Sequence, residues 1–383
     1  MDYLQQLLNN QPVEWKKLGE VCRIKNGRDY KHLGEGQVPV YGSGGIMKYV
    51  DEYVYDKPTV LIPRKGSLSN LFYVDTPFWN VDTIFYTEID SNQICPKFLF
   101  HFLSTQKLEK LNMAGGVPSL TQTILNRLPI PIPPLSVQSR IVEILDKFTA
   151  MEAELQAELE LRKKQYAYYR EQLLNFSYPP PSEFNVVYKK LGEMAELVRG
   201  NGLSKKDFAP EGIPAIHYGQ IYTYYGNETK ETISFVTPET ASKLRKVFCG
   251  NVVITNTSEN LEDVGKALLY RGKSEAVTGG HATIIRCSEH LLPKFFVYYT
   301  KTRSFFDQKR KLAKGTKVID VSATDLARIE IPIPPLSEQQ RIVEMLDKFD
   351  TLTNSISEGL PLEIQLRRQQ YEYYREQLLD FRR

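Results

Sequence analysis

The side chains in this 383-residue chain that could do chemistry are concentrated in a few short stretches, and little in them points to catalysis. There is no Asp/Asn-Pro-Pro-Tyr/Phe element of the kind that methylates amino groups, and no P-loop to cradle phosphates. The five histidines have no metal-ligand spacing. Cys22, Cys95, Cys249 and Cys287 are scattered without a CxxC pair, which argues against structural zinc or a disulfide framework and for a reducing cytosol. Asp82 and Glu88 suggest a nuclease pair, but no partnered lysine follows, so ordinary polar sheet residues are the better reading. Tyr41-Gly42-Ser43-Gly44-Gly45 lacks the full GxGxxG spacing and runs into a strand or loop instead of a helix. A tight turn presenting Tyr41 and Ser43 near a nucleic-acid groove fits it better than a cofactor site.

Contact chemistry is better represented. Aligning the β-rich runs 59–62 and 251–254 sets Pro63-Arg64-Lys65-Gly66-Ser67 opposite Thr255-Asn256-Thr257-Ser258. One scaffold position then carries a basic loop (Arg64, Lys65, Ser67) in one place and an amide/hydroxyl loop (Asn256, Thr257) in another. Arginine suits guanine O6/N7 and asparagine suits adenine N6/N7. A solvated turn is the plainer alternative for any single residue. Further candidates are His217, Tyr218, Gln220 and Tyr222 in an aromatic and polar stretch, and His281 and Thr283 at a turn entering a strand. Either histidine could equally be a structural one. Lys301–Lys317 carries Lys301, Arg303, Lys309, Arg310, Lys311, Lys314 and Lys317 against Asp307 alone. Phosphate neutralisation is its functional reading and a solvated helix face the plain one. The matching first-domain segment, around Lys107 and Lys110, is weaker. A net charge of +3 permits nucleic-acid binding without arguing for it.

These stretches fall in two groups, one before each copy of a repeated cassette. Leu135-Ser136-Val137-Gln138-Ser139-Arg140-Ile141-Val142-Glu143-Ile144-Leu145-Asp146-Lys147-Phe148 returns as Leu336-Ser337-Glu338-Gln339-Gln340-Arg341-Ile342-Val343-Glu344-Met345-Leu346-Asp347-Lys348-Phe349. Both copies follow Ile-Pro-Ile-Pro-Pro, and both lead to Tyr-Tyr-Arg-Glu-Gln-Leu-Leu. Ser136 and Ser337 are the expected N-caps. In the first copy Ile141, Phe148, Leu155 and Tyr169 share one heptad register, and Leu145, Leu159, Tyr166 and Leu173 the complementary one, interrupted at Glu152 and Arg162. This is a coiled-coil seam, on a helix ~60 Å long if it runs from Ser136 to Phe176. In the second copy Ile342, Leu346, Phe349, Ile356 and Leu360 keep register, then Tyr371, Tyr374 and Leu378 resume it after a shift. The stutter contains Gly359-Leu360-Pro361, which predicts a kink or break near 358–362. Two such helices close the seam by packing antiparallel.

The expected order is an N-terminal segment (1–14) near the C-terminal helix, a first variable domain (15–135), a first constant helix (136–178), a second variable domain (179–336) and a second constant helix (337–383). Each variable part opens with Lys-Lys-Leu-Gly-Glu and reads as α+β with a twisted, mostly antiparallel sheet. Tyr3-Leu4-Gln5-Gln6-Leu7-Leu8-Asn9 echoes 169–175, so the chain reads as a pseudo-twofold circle cut at one point. The start lacks the basic and apolar regions of a signal peptide, and no apolar run is long enough to cross a bilayer.

Across nearly its whole length the chain resembles the specificity subunit of a type I restriction–modification enzyme. The paired Ile-Pro-Ile-Pro-Pro-Leu-Ser-x-Gln-x-Arg-Ile-Val segments and the Tyr-Tyr-Arg-Glu-Gln-Leu-Leu helix ends carry the resemblance. The Lys-Lys-Leu-Gly-Glu openings and Gly-Ser-Gly-Gly-Ile at 42–46 support it. It implies a non-catalytic subunit whose two target-recognition domains each read half of a bipartite double-stranded DNA site. The helices would set the spacer and dock two methyltransferase subunits, which restriction subunits join. It implies no cofactor in this chain, with S-adenosylmethionine and ATP/Mg in the partners, and a cytoplasmic setting. The alternatives are a coiled-coil scaffold without DNA readout and an enzyme with an unrecognised active site.

Overall fold

The computed structural model describes residues 3–111, 119–176, 186–355 and 357–381, without the side chain of Tyr3. The chain is α+β and divides into two compact units. One comprises Met1–Gln156 with Ile364–Arg383, the other Ala157–Glu363. The two variable parts fall in different units. The constant helices form no domain of their own; each unit takes a piece of both.

The same construction appears in each unit, and the repeated motifs account for it. In the first, Glu14–Lys17 pairs antiparallel with Pro129–Ile132, so the Lys-Lys opening zips against Ile-Pro-Ile-Pro, with Lys16 opposite Ile130. In the second, Val187–Lys190 pairs with Glu330–Ile333, with Lys189 opposite Ile331. Proline cannot donate to a ladder. The alternation leaves the donating positions to isoleucine, which lets a proline-rich segment act as a strand. Each pair closes the entry and exit of one variable part.

Between these clamps lies an antiparallel sheet. Its order in the first unit is Cys22–Asn26, Ile84–Ile89, Thr59–Pro63, Phe72–Val74. In the second it is Ala195–Arg199, Ala282–Cys287, Val252–Thr255, Ala267–Tyr270, with Glu228–Thr229 added in parallel. The expectation of one sheet per variable part undercounts. Glu35–Gly42, Gly45–Val50 and Trp79–Asn80 form another sheet in the first unit. Ser234–Val236, Ile213–Ile216, Ala276–Thr278 and Arg245–Val247 form another in the second.

The first constant helix runs Leu135–Leu174. The second is two helices, Leu336–Asn354 and Gly359–Leu379. The residue before the first of these is Pro335, with no side-chain cap, so Ser337 is not the N-cap; Ser136 likewise lies inside its helix. The glutamine two residues on does the fastening. Gln138, fully buried, accepts from the Cys95 amide (2.7 Å) and donates to the carbonyls of Gln93 (3.1 Å) and Pro133 (2.8 Å). Gln339 accepts from Leu292 (2.8 Å) and donates to His290 (2.9 Å) and Pro334 (2.8 Å). One side chain thus ties the constant helix to the start of helix Pro96–Thr105 or Pro293–Tyr299. Lys97 on Asp146 (2.6 Å) and Lys294 on Asp347 (3.0 Å) repeat the tie about two turns further along the constant helix.

Within the first unit Ile141, Leu145 and Leu378 are buried, and Phe148 stacks on Tyr374 and tilts against Tyr371. Within the second, Tyr166 and Tyr169 stack on Phe349 in a cluster with Leu174, Ile342 and Leu346, and Leu159 and Leu360 are also buried. Leu155 and Leu173 are half-buried, and Ile356 lies outside the described residues. The break lies between Asn354 and Gly359, at the leading edge of the expected 358–362. Pro361 stands in the first turn of the next helix, where its missing N–H costs nothing. Gly359 takes the bend at φ +76°, where a Cβ would lie 2.5 Å from the Thr351 carbonyl. The N-terminal helix Tyr3–Leu8 puts Leu4 and Leu8 into one buried cluster with Leu378, Leu379 and Phe381. The proline run after the first constant helix lies outside the described residues. No helix among them is long and apolar enough to cross a membrane.

Candidate nucleic-acid interface

Backbone hydrogen bonds establish the correspondence between the two strand ends. In the first unit Arg64 N donates to the Thr83 carbonyl (2.9 Å), Leu120 N donates to the Arg64 carbonyl (2.8 Å), and Lys65 bridges Ser119. In the second, Asn256 N donates to His281 O (2.8 Å), Val321 N donates to Asn256 O (2.9 Å), and Thr257 pairs with Asp320. Arg64 therefore matches Asn256, Lys65 matches Thr257 and Thr83 matches His281. The neighbouring strand adds Asn26 and Arg199, opposite Phe85 and Thr283 respectively. Three chain crossings thus meet at one edge of each sheet.

What these positions expose differs from the expectation. Asn256 is fully buried; its amide donates to the Val321 carbonyl (2.6 Å) and accepts from Thr283 Oγ1 (2.8 Å). Both side chains are committed inside the unit, so neither can read a base. Arg64 is half-buried, its guanidinium 5.9 Å from the Phe85 ring centroid and 3.4 Å from the Asp82 carbonyl. Lys65 and Ser67 are exposed, with Lys65 at 3.8 Å from Asp82. Ser43 lies in the tip of the hairpin Glu35–Gly42/Gly45–Val50, beside Thr83 and Asn70. Tyr41 points the other way, against Phe72 and Phe78, where burial pushes its phenol up.

In the second unit His217 caps the short helix Tyr218–Thr223, its Nδ1 accepting from Gly219 N (3.2 Å). Burial, then Lys205 and His281, push its pKa below the usual imidazole value, so it serves as a neutral acceptor. Gln220 is likewise internal, donating to Ser234 Oγ (2.6 Å). Tyr218 packs on His281 at 4.9 Å, and His281 Nδ1 meets Thr257 Oγ1 at 2.9 Å. His281 is exposed, and Tyr218 and Tyr222 are half-buried. The basic segment divides. Lys309 is 3% exposed and donates to the Val264 carbonyl (2.6 Å), so it is not a surface phosphate contact. Arg310 is exposed on helix Arg303–Leu312. Lys314, bound to Asp325 (3.0 Å), and exposed Lys317 flank Gly315 in the loop that leads into Ile319–Asp320, directly beside Thr257.

The structure brings Tyr218, Thr257, His281, Lys314 and Lys317 to one edge in the second unit, and Ser43, Arg64, Lys65 and Ser67 in the first. Arg199, Asn26 and Thr83 were missed by the sequence reading. A signal for the first two existed: Asn26 and Arg199 each stand ten residues after the first lysine of Lys-Lys-Leu-Gly-Glu. The following glycine is a steric requirement, because a Cβ on Gly27 would lie 2.0 Å from Val81 O and one on Gly200 2.2 Å from Gly279 O. The hairpin strand Gly45–Val50 also exposes Ile46, Met47 and Tyr49, an apolar surface beside the Ser43 turn. No group of acids, histidines and cysteines that could hold a metal occurs among the described residues.

Comparison with known proteins bears on this geometry. The type I restriction modification DNA specificity domain matches residues 10–161 and 182–366. The EcoR124I/EcoR124II type I restriction enzyme specificity subunit of Escherichia coli is 33% identical, over 100% of this chain and 97% of its own. Among solved structures, the type I restriction-modification S subunit of M. genitalium superposes with a TM-score of 0.58 at 17% identity, covering 98% of each chain. A chain from a structural study of complex assembly and conformational transition in the type I R-M system gives 0.64 at 15%, covering 96% of this chain and 98% of its own.

Proposed function

The chain belongs to the family of type I restriction–modification specificity subunits, and from that premise we propose how its two units divide the reading of DNA. It is a non-catalytic DNA-recognition subunit. Each unit reads one half of a bipartite duplex target with its strand-end loops, and the helical segments set the unread spacer and seat two methyltransferase subunits. Restriction subunits join that core. S-adenosylmethionine and ATP with Mg belong to those partners, and the assembly works in the cytoplasm.

One observation carries this reading. The same hydrogen-bonded position holds Lys65, Thr83 and Asn26 in one unit and Thr257, His281 and Arg199 in the other. A shared frame with different donors and acceptors is what two unrelated half-sites require. Lys65→Ala and His281→Ala, each assembled with the methyltransferase subunits, test it by sequencing the methylated sites. Lys65→Ala is expected to relax or weaken one half-site and His281→Ala the other. If both variants act on the same half-site, or both weaken every sequence uniformly, the division of labour is wrong.

A further inference from the structure

The second unit contains a cleft of about 130 Å³ whose charged walls are mostly amines. Lys266, Lys301 and Lys309 line it with Tyr222, Tyr225 and Glu262. Lys309 is the unusual member, because a buried ammonium is costly without partners. It has three N–H donors. The Val264 carbonyl takes one at 2.6 Å and the face of Phe306, 4.9 Å away, takes a second. No third hydrogen-bond partner is present among the described residues; Glu262 and Asp263 act on the amine only through their charge. Gly265 makes the room, since a Cβ there would lie 2.7 Å from the Lys309 side chain.

The charges narrow the ligand. Three lysines face Glu262 in the wall and the adjoining Asp263, which holds Lys266 at 2.6 Å. The surplus is one positive charge, which matches a monoanion better than a dianion. Position narrows it further. Tyr222 shares its short helix with Tyr218, which packs on His281 at the sheet edge described above.

We propose that this cleft binds a phosphodiester group. The inference rests on reading that edge as a DNA contact, with the backbone phosphate beside the read bases as its first source; a free phosphate ester is the other source with the same chemistry. It also reassigns Lys309, which reaches phosphate from inside the unit.

The test uses the chain assembled with its methyltransferase subunits, on a duplex carrying the site found by methylation sequencing. In the first arm, binding is measured against salt for the wild type, Lys301→Ser, Lys266→Ser and Lys309→Met. Losing one phosphate contact should reduce the slope of log K against log[salt] by about 0.9, and should weaken target and scrambled duplexes alike. Lys301 and Lys266 are both exposed as residues, so their variants keep the test intact if Lys309→Met fails to fold. In the second arm, dimethyl phosphate is titrated at constant ionic strength, and a saturable rise in Tm is expected in the wild type and lost in the variants. A change in the DNA arm supports the site with the backbone as its source. A change in the dimethyl phosphate arm alone supports the site with a free ester as its source. No change in either arm overturns the proposal. An assembly that binds no duplex at all would refute the DNA-reading function, while the dimethyl phosphate arm would still decide the cleft.

Discussion

Asn256 and Lys65 stand at adjoining positions of one repeated frame, yet the first is sealed inside its unit and the second is open to solvent. The difference lies in what approaches from elsewhere: the Val321 carbonyl reaches Asn256 from sixty-five residues away. Lys309 has the same kind of history, and its titration makes the burial measurable. Desolvation lowers its amine to about 8, below the ordinary lysine value. Between pH 8 and roughly 10.4 the unfolded chain holds a proton that the folded chain has released, so this group's contribution to stability rises with pH across that window. Below pH 8 the cost of burying the charge is present in full. Lys309→Met removes the titration. Its stability relative to the wild type should fall between pH 8 and pH 9.5 by about 1 kcal/mol per pH unit, measured by urea unfolding in chloride buffer. A pH-independent difference would show that the amine titrates normally.

At the scale of elements, the constant helices hold each unit together through few side chains. Gln339 satisfies one buried amide and two carbonyls at once. Gln339→Leu keeps the volume and strands all three, so a loss of about 2–4 kcal/mol is expected, read as a lower urea midpoint with an unchanged m value. Retention of wild-type stability would mean water or a rearranged loop replaces the amide. Much at this scale was legible in the sequence. The repeated cassettes marked the helices because a seven-residue apolar period needs no knowledge of the partner. The stutter containing Gly359-Leu360-Pro361 likewise announced a break, though Pro361 is accommodated in a first turn and the break lies between Asn354 and Gly359. The strand clamp was not legible, since Ile-Pro-Ile-Pro does not look like a strand until Lys16 or Lys189 lies opposite. Nor were the extra sheets, whose short strands pair across long separations, as Ile213–Ile216 does with Ala276–Thr278. The site was half legible for the same reason. Aligning 63–67 with 255–258 found loops that occupy equivalent strand ends, but which side chains faced outward depended on Val321, Thr283 and Phe85.

At the scale of the whole molecule, the proposed ruler makes a length prediction that neither unit can fake alone. The seam residues of Leu135–Leu174 repeat every seven positions, so removing one heptad keeps the apolar face in register. Seven residues of helix span about 10 Å, which is roughly three base pairs at 3.4 Å each. A deletion of residues 152–158, matched by one heptad from Gly359–Leu379, leaves the strand-end loops of both units untouched. If the helices set the spacer, the assembled variant should methylate sites with the same two half-sites separated by about three fewer base pairs. Methylation sequencing reads half-site and spacer together, so the two effects separate in one experiment. An unchanged spacer would mean that the methyltransferase subunits, or the DNA itself, fix the distance. A changed half-site would mean that the helices shape the reading loops, and that the two units are less separable than their duplicated cassettes suggest.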